Sequence, residues 1–174
     1  AVEQEKLLEL LDVARYAPNG ANRQVVRWVV VNDPAKVHQI AEMTIDWMKI
    51  VKDKNPALYE EANLEVFVEP WDLGQDRISR GAPCVLVAHA PKDERTAPPA
   101  AMIAIHQIQI AAPALGLGTT FCGSINTAGQ SYPPLMEILG LPEGHIPHGT
   151  SLIGYPAERY HRIPERNPIE VTWR

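Results

Sequence analysis

The sequence predicts a sheet covered by helices, organised as one domain over residues 1–174. Three observations predict it. Short runs rich in β-branched residues alternate with longer stretches of helical periodicity, which is the pattern of strands and helices packed in layers. A chain of 174 residues has the length of one domain and can bury a core without disulfides or metals. No internal repeat, low-complexity run or interdomain linker divides it.

Residues 3–16 predict an amphipathic helix, with Leu7, Leu11 and Ala14 at helical spacing and Leu8 and Leu10 widening the stripe. Pro18-Asn19-Gly20 ends it in a turn. Arg27–Val31 predicts a strand. Asp33 then caps a helix that has Pro34 at its first position and runs to about Val51. Residues 55–80 predict short helices broken at Pro56 and Pro70. Cys84–His89 predicts a buried strand, and Pro91–Pro99 a polar loop. Residues 100–115 predict a nearly uncharged helix with isoleucines distributed around it. Such a helix is buried on most sides, and in a small domain a dimer interface is one way to bury it. Strands are expected at Thr119–Cys122 and Gly149–Gly154, with a short helix at Pro134–Leu139 between them. The tail carries Pro156, Pro164 and Pro168 and ends in a strand-like segment, Ile169–Trp173, suited to joining another sheet, its own or a partner's.

Composition narrows the function classes. The net charge of −5 lacks the basic footprint that nucleic-acid binding requires. No apolar run approaches the ~20 residues that span a bilayer. Cys84 and Cys122 form no CxxC pair, so neither a disulfide framework nor a zinc knuckle is signalled. The charged opening is unlike a signal peptide, and the expected location is the cytoplasm. The chain starts without methionine and runs at once into a helix, so a preceding segment is expected in the whole protein.

Three segments have the residue types to hold a ligand. Pro18, Asn19, Gly20, Asn22 and Gln24 place donor–acceptor amides on a turn after a rigid helix. Gly116 and Gly118 lead through hydroxyl residues to Cys122 and Gly123, where backbone amides are available. Arg159 and Arg162 lie on a proline-braced tail and suit a phosphate. Each has an ordinary alternative: a plain turn, a helix-terminating glycine, a solvated arginine. His145 and His148 form a weak metal pair with no further ligand at suitable spacing, and Cys122 has no activating base.

In their order, these segments resemble the nitroreductase family. The resemblance rests on ARYAPNGANRQVVRWVVVNDPAKV, RGAPCVLVAHA, IAAPALGLGTTFCGS and SLIGYPAERYHRIPERNPIEVTW, and it covers nearly the whole chain. The first segment, with Asp46-Trp47-Met48, is most similar to members that carry an additional iron–sulfur ferredoxin-like domain. The resemblance implies an α+β fold: a central, mainly antiparallel sheet flanked by helices, in an intertwined homodimer with FMN between the subunits. It implies that Pro18, Asn19 and Gly20 lie against the flavin ring from across the interface, with Asn22 and Gln24 shaping that wall. Cys122 and Gly123 would offer amides near the flavin N5 and O4 edge, and Arg162 would grip the phosphate. Helix 100–115 would be the central dimer helix.

The resemblance also implies an activity. Reducing equivalents would pass from NAD(P)H, or from a reduced iron–sulfur protein, through FMN to a nitroaromatic, quinone or similar acceptor by a ping-pong sequence. Arg77 and Arg80 are the local candidates for charge near the flavin N1/O2 edge. Some features depart from the pattern. The family's opening Arg-Arg-Ser-x-Arg-like segment has no counterpart, Asn19 replaces Ser or Thr, Val25-Val26 replaces Pro-Trp, and Tyr160 stands where a lysine is common. Either a segment precedes Ala1, or FMN binds weakly or not at all. The alternatives are another FMN reaction on the same fold, such as reductive dehalogenation or flavin breakdown, and a non-catalytic dimeric flavin-binding module.

Overall fold

The computed structural model describes residues 1–158 and 161–174. Four antiparallel strands form one sheet in the order β1-β2-β4-β3. They are β1 (Arg27–Val31), β2 (Cys84–Pro91), β3 (Gly118–Phe121) and β4 (His145–Gly154). β2 is buried on both faces, which is why it reads as a continuous apolar run rather than an alternating one. Val85 and Val87 face one core, and Cys84 and Leu86 face the other.

The first core is closed by α2 (Pro34–Lys54), α3 (Pro56–Glu61), α4 (Glu65–Asp72), α6 (Gly123–Gly129) and α7 (Pro133–Ile138). The second is closed by α1 (Gln4–Ala14) and α5 (Ala97–Ala111). The approach of α5 to the sheet is set by Gly149, where an added Cβ would meet Ile105 Cδ1 at 2.5 Å. Asp33 caps α2 as expected, accepting from the amides of Ala35 (2.9 Å) and Lys36 (3.4 Å).

Several expectations need correction. Leu8 is exposed, because α1 buries only the Leu7, Leu10 and Ala14 stripe. Pro70 lies inside α4 rather than breaking it. Its missing N–H leaves the Val66 carbonyl without the usual helical donor, and Arg77 Nη1 approaches that carbonyl at 3.4 Å. α5 begins inside the predicted 91–99 loop, since prolines are tolerated in a first turn whose N–H groups have no acceptor. It ends at Ala111, followed by a 3₁₀ turn over Ala112–Leu115 that contains Pro113. α6, of sequence GSINTAG, was not expected; its composition favours turns, and burial of Ile125 and Ala128 supplies what propensity does not. β4 begins four residues earlier than predicted, and its pairing with β2 shifts register at Ala88/His89. Ile169–Trp173 forms no strand within this chain and is exposed.

α5 buries one face only. Met102, Ile103 and Ile110 are exposed on the other, together with His106. Among the described residues, no helix is long and apolar enough to cross a membrane.

Candidate functional site

The turn before β2 is built by Asp76. Its Oδ1 accepts from the amides of Ile78 (2.9 Å) and Ser79 (2.8 Å), and its Oδ2 accepts the Ser79 hydroxyl. This Asx arrangement brings residues 78–80 against Cys122, whose Sγ lies 3.8 Å from the Ile78 carbonyl oxygen. Arg80 follows at φ +54° and is close enough for its charge to act on the Cys122 thiol. It is exposed at the rim of a cleft of about 470 Å³, whose walls include Gly118, Thr120, Gly154 and Tyr155. Arg80 has no acidic partner within ion-pair distance among the described residues.

Cys122 joins β3 to α6. Burial pushes its thiol pKa up, against the opposing effects of Ser124, the Ile125 amide and Arg80, which disfavours the thiolate. Its backbone corrects one expectation. The Cys122 N–H donates to the Thr150 carbonyl at 3.0 Å, and its carbonyl accepts the Thr150 hydroxyl. That amide is committed to the sheet and is not available to a ligand. The neighbouring Gly123 N–H opens the first turn of α6 and finds no acceptor among the described residues. Phe121, 40% exposed, packs beside Gly123, a neighbour that sequence patterning does not reveal.

The second group of predicted residues forms the loop between α1 and β1. Asn19 organises it: Nδ2 donates to the Ala17 carbonyl at 3.2 Å, and Oδ1 accepts the Gln24 amide at 2.9 Å. Gln24 Nε2 donates to Asn22 Oδ1 at 3.2 Å. Three non-glycine residues here adopt positive φ: Ala21 (51°), Asn22 (52°) and Gln24 (50°). Asparagine tolerates this region, whereas Ala21 and Gln24 each cost ~1–2 kcal/mol. Pro18, Asn19, Asn22 and Gln24 line an open cleft of about 560 Å³. Gly20 packs so closely on Thr96, the residue that precedes α5, that a Cβ would meet its Cγ2 at 2.9 Å.

The structure therefore sorts the predicted residues into two groups: the 18–24 loop, which lines one cleft, and the Arg80–Gly123 corner, of which Arg80 lines another while Cys122 and Gly123 lie outside its lining. Arg77 belongs to neither. It faces the Val66 carbonyl, because that is where Pro70 leaves an acceptor. Arg162 is exposed on the tail among His161, Ile163 and Pro164. Arg159 and Tyr160 lie outside the described residues. His145 pairs with His89, Nδ1 to Nδ1 at 3.0 Å, rather than with His148.

The model of the nitroreductase family matches residues 1–155. The chain belongs to the nitroreductase family. Within that family it is similar to the FMN reductase [NAD(P)H] of Bacillus subtilis (strain 168), at 29% identity over 98% of this chain. The chain spans 64% of that relative's length. Its fold matches an FMN-bound nitroreductase from Desulfitobacterium hafniense with a TM-score of 0.74 and 22% identity, over 99% of this chain and 88% of the other. It also matches an FMN-bound nitroreductase from Bacteroides fragilis, with a TM-score of 0.73 and 18% identity, over 98% and 85% of the two chains. A BluB-like flavoprotein from Clostridium difficile matches with a TM-score of 0.73 and 19% identity, over 97% and 87%. The mixed helical and antiparallel architecture that these structures share is the one expected from the sequence.

Proposed function

We propose that this protein is an FMN-dependent oxidoreductase that works as a homodimer. It would pass reducing equivalents from NAD(P)H, or from a reduced iron–sulfur protein, to a planar electron-poor acceptor such as a nitroaromatic or quinone. The observation that carries this reading is the corner at Cys122. Arg80, a guanidinium at the rim of an open cleft, and the Gly123 N–H flank one residue, and neither has a partner among the described residues. That donor set fits an anionic, hydrogen-bond-accepting ring edge. When bound, FMN supplies hydride-transfer chemistry in two separate half-reactions. Arg80 would stabilise negative charge at the ring, and the Gly123 amide would fix its orientation. Pro18 and Gly20 would supply the wall against the ring, while Asn19 and Gln24 hold that wall in shape. Arg162 would reach the phosphate.

A second copy fits the same reading. A monomer of 19.3 kDa exposes about 8,500 Å². This chain exposes 11141 Å², including the apolar stripe on α5 and Ile163, Ile169 and Trp173 on the tail. Pairing through α5, with the tail laid on the partner, would cover that excess and bring the loop of one subunit toward the Arg80–Gly123 corner of the other.

Anaerobic titration of FMN-loaded protein with NADH, NADPH and reduced ferredoxin tests the donor. Bleaching of the flavin band by one of them, followed by re-oxidation on adding a quinone or nitroaromatic, is expected. Parallel double-reciprocal plots would support the ping-pong order, and intersecting plots would contradict it. A loaded protein that no donor reduces would favour the non-catalytic flavin-binding module.

A further inference from the structure

The strained 20–24 loop has few ties to the rest of the chain. Inside the loop, the Asn22 amide bonds the Asn19 carbonyl (3.1 Å), the Arg23 amide bonds the Gly20 carbonyl (3.1 Å), and the Gln24 amide bonds Asn19 Oδ1 (2.9 Å). These bonds define a shape but do not place it. Two contacts tie the loop to the turn that leads into α5. Gly20 rests on the Thr96 methyl, and Arg23 Nη2 meets Glu94 Oε2 at 2.6 Å. Glu94 is itself fixed: its other oxygen accepts the Thr96 amide at 3.0 Å and the Thr96 hydroxyl at 2.8 Å. Those two bonds hold the Glu94 carboxylate below its ordinary pKa and leave Oε2 oriented toward Arg23 before the loop arrives. They also fix the Thr96 rotamer, and with it the methyl under Gly20.

We propose that Arg23 and Glu94 are positioning residues, a latch that holds the 18–24 loop against the N-terminus of α5 so that it presents a preformed wall to the cofactor. The proposal rests on the reading of that loop as part of the flavin site. Neither residue would touch the ring. They act through Gly20, which rests on Thr96, and through Ala21, Asn22 and Gln24, whose left-handed backbone would otherwise relax. Preorganisation of this kind raises affinity by removing the ordering cost from the binding step. The ion pair itself is half exposed at Arg23 and adds little to global stability.

The test uses the full-length protein, first stripped of flavin and then titrated with FMN. Glu94→Gln and Arg23→Gln are each expected to raise the FMN Kd about tenfold and to change the visible circular dichroism of bound flavin. The apo-protein melting temperature should hold. The double variant should bind no worse than either single variant, and Arg23→Lys should restore most of the affinity, because the contact is one nitrogen to one oxygen. Hydrogen exchange at the Gln24 amide reads the loop directly and should accelerate in both glutamine variants. Unchanged Kd and dichroism in variants of a wild type that binds FMN would overturn the latch and leave the flavin reading standing. Faster exchange without any change in Kd would overturn it equally. A wild type that takes up no FMN would overturn the reading of the site and the latch with it.

Discussion

The imidazoles of His89 and His145 meet Nδ1 to Nδ1 at 3.0 Å, with His89 buried at the register shift between β2 and β4. One nitrogen must donate and the other accept, so at least one ring is neutral. Burial, and then the neighbouring His145, Arg27 and His148, push the His89 pKa from 6.5 down to about 4. Between those values the unfolded chain binds a proton that the folded chain does not. Stability from this group is therefore complete above pH 6.5 and lost as pH falls toward 4. The expected loss is roughly 3 kcal/mol. Urea denaturation at pH 7, 5 and 4 should show it, and His89→Gln should flatten the curve over that window. An unchanged slope in the variant would place the titration elsewhere.

Thr150 ties the sheet to the Cys122 corner through its hydroxyl. In Thr150→Val, the Cys122 carbonyl keeps only the bond from the Asn126 amide, at 3.3 Å. A loss of about 1–2 kcal/mol is expected, because a buried acceptor becomes under-satisfied. Denaturant midpoints check this, and a variant as stable as the parent would show that the bond contributes nothing net.

Gly149 is required by the packing of α5. Gly149→Ala would drive a Cβ to 2.5 Å from Ile105 Cδ1, at a side chain that is 1% exposed. Overpacking of this kind costs about 1–3 kcal/mol. Removing that methyl in Gly149→Ala/Ile105→Val should recover most of the loss. Thermal melts of the two variants decide the point, and a double variant no better than the single would locate the clash at Met102, whose Sδ is the next atom at 3.6 Å.

Ile110 is 68% exposed on the uncovered face of α5. If that face pairs with a second copy, Ile110→Asp should convert a dimer to monomers at micromolar concentration, read by light scattering after gel filtration. An unchanged mass would remove α5 from the interface.

The sheet was legible in the sequence because its strands are apolar and β-branched: Val29–Val31 and Val85–Val87 announce themselves. α2 was legible because Asp33 and Pro34 mark its start. α6 was not, because Gly-Ser-Ile-Asn-Thr-Ala-Gly has turn composition and is held by tertiary burial of Ile125 and Ala128. The start of α5 was hidden because prolines in a first turn read as loop. In the candidate site, local motifs marked the 18–24 loop and the Gly123 segment as candidates, since turn chemistry is written in adjacent residues. They did not show that Thr150 occupies the Cys122 amide, that Pro70 leaves Arg77 a carbonyl acceptor, or that Glu94 lies against Arg23. Each of those links joins residues distant in sequence or depends on a missing donor, and periodicity carries no trace of either.

The visible absorption spectrum of the purified full-length protein, with identification of the released chromophore, decides whether this chain binds FMN. The expected result is a flavin spectrum with FMN at about one per subunit. A colourless protein that also takes up no added FMN would contradict it.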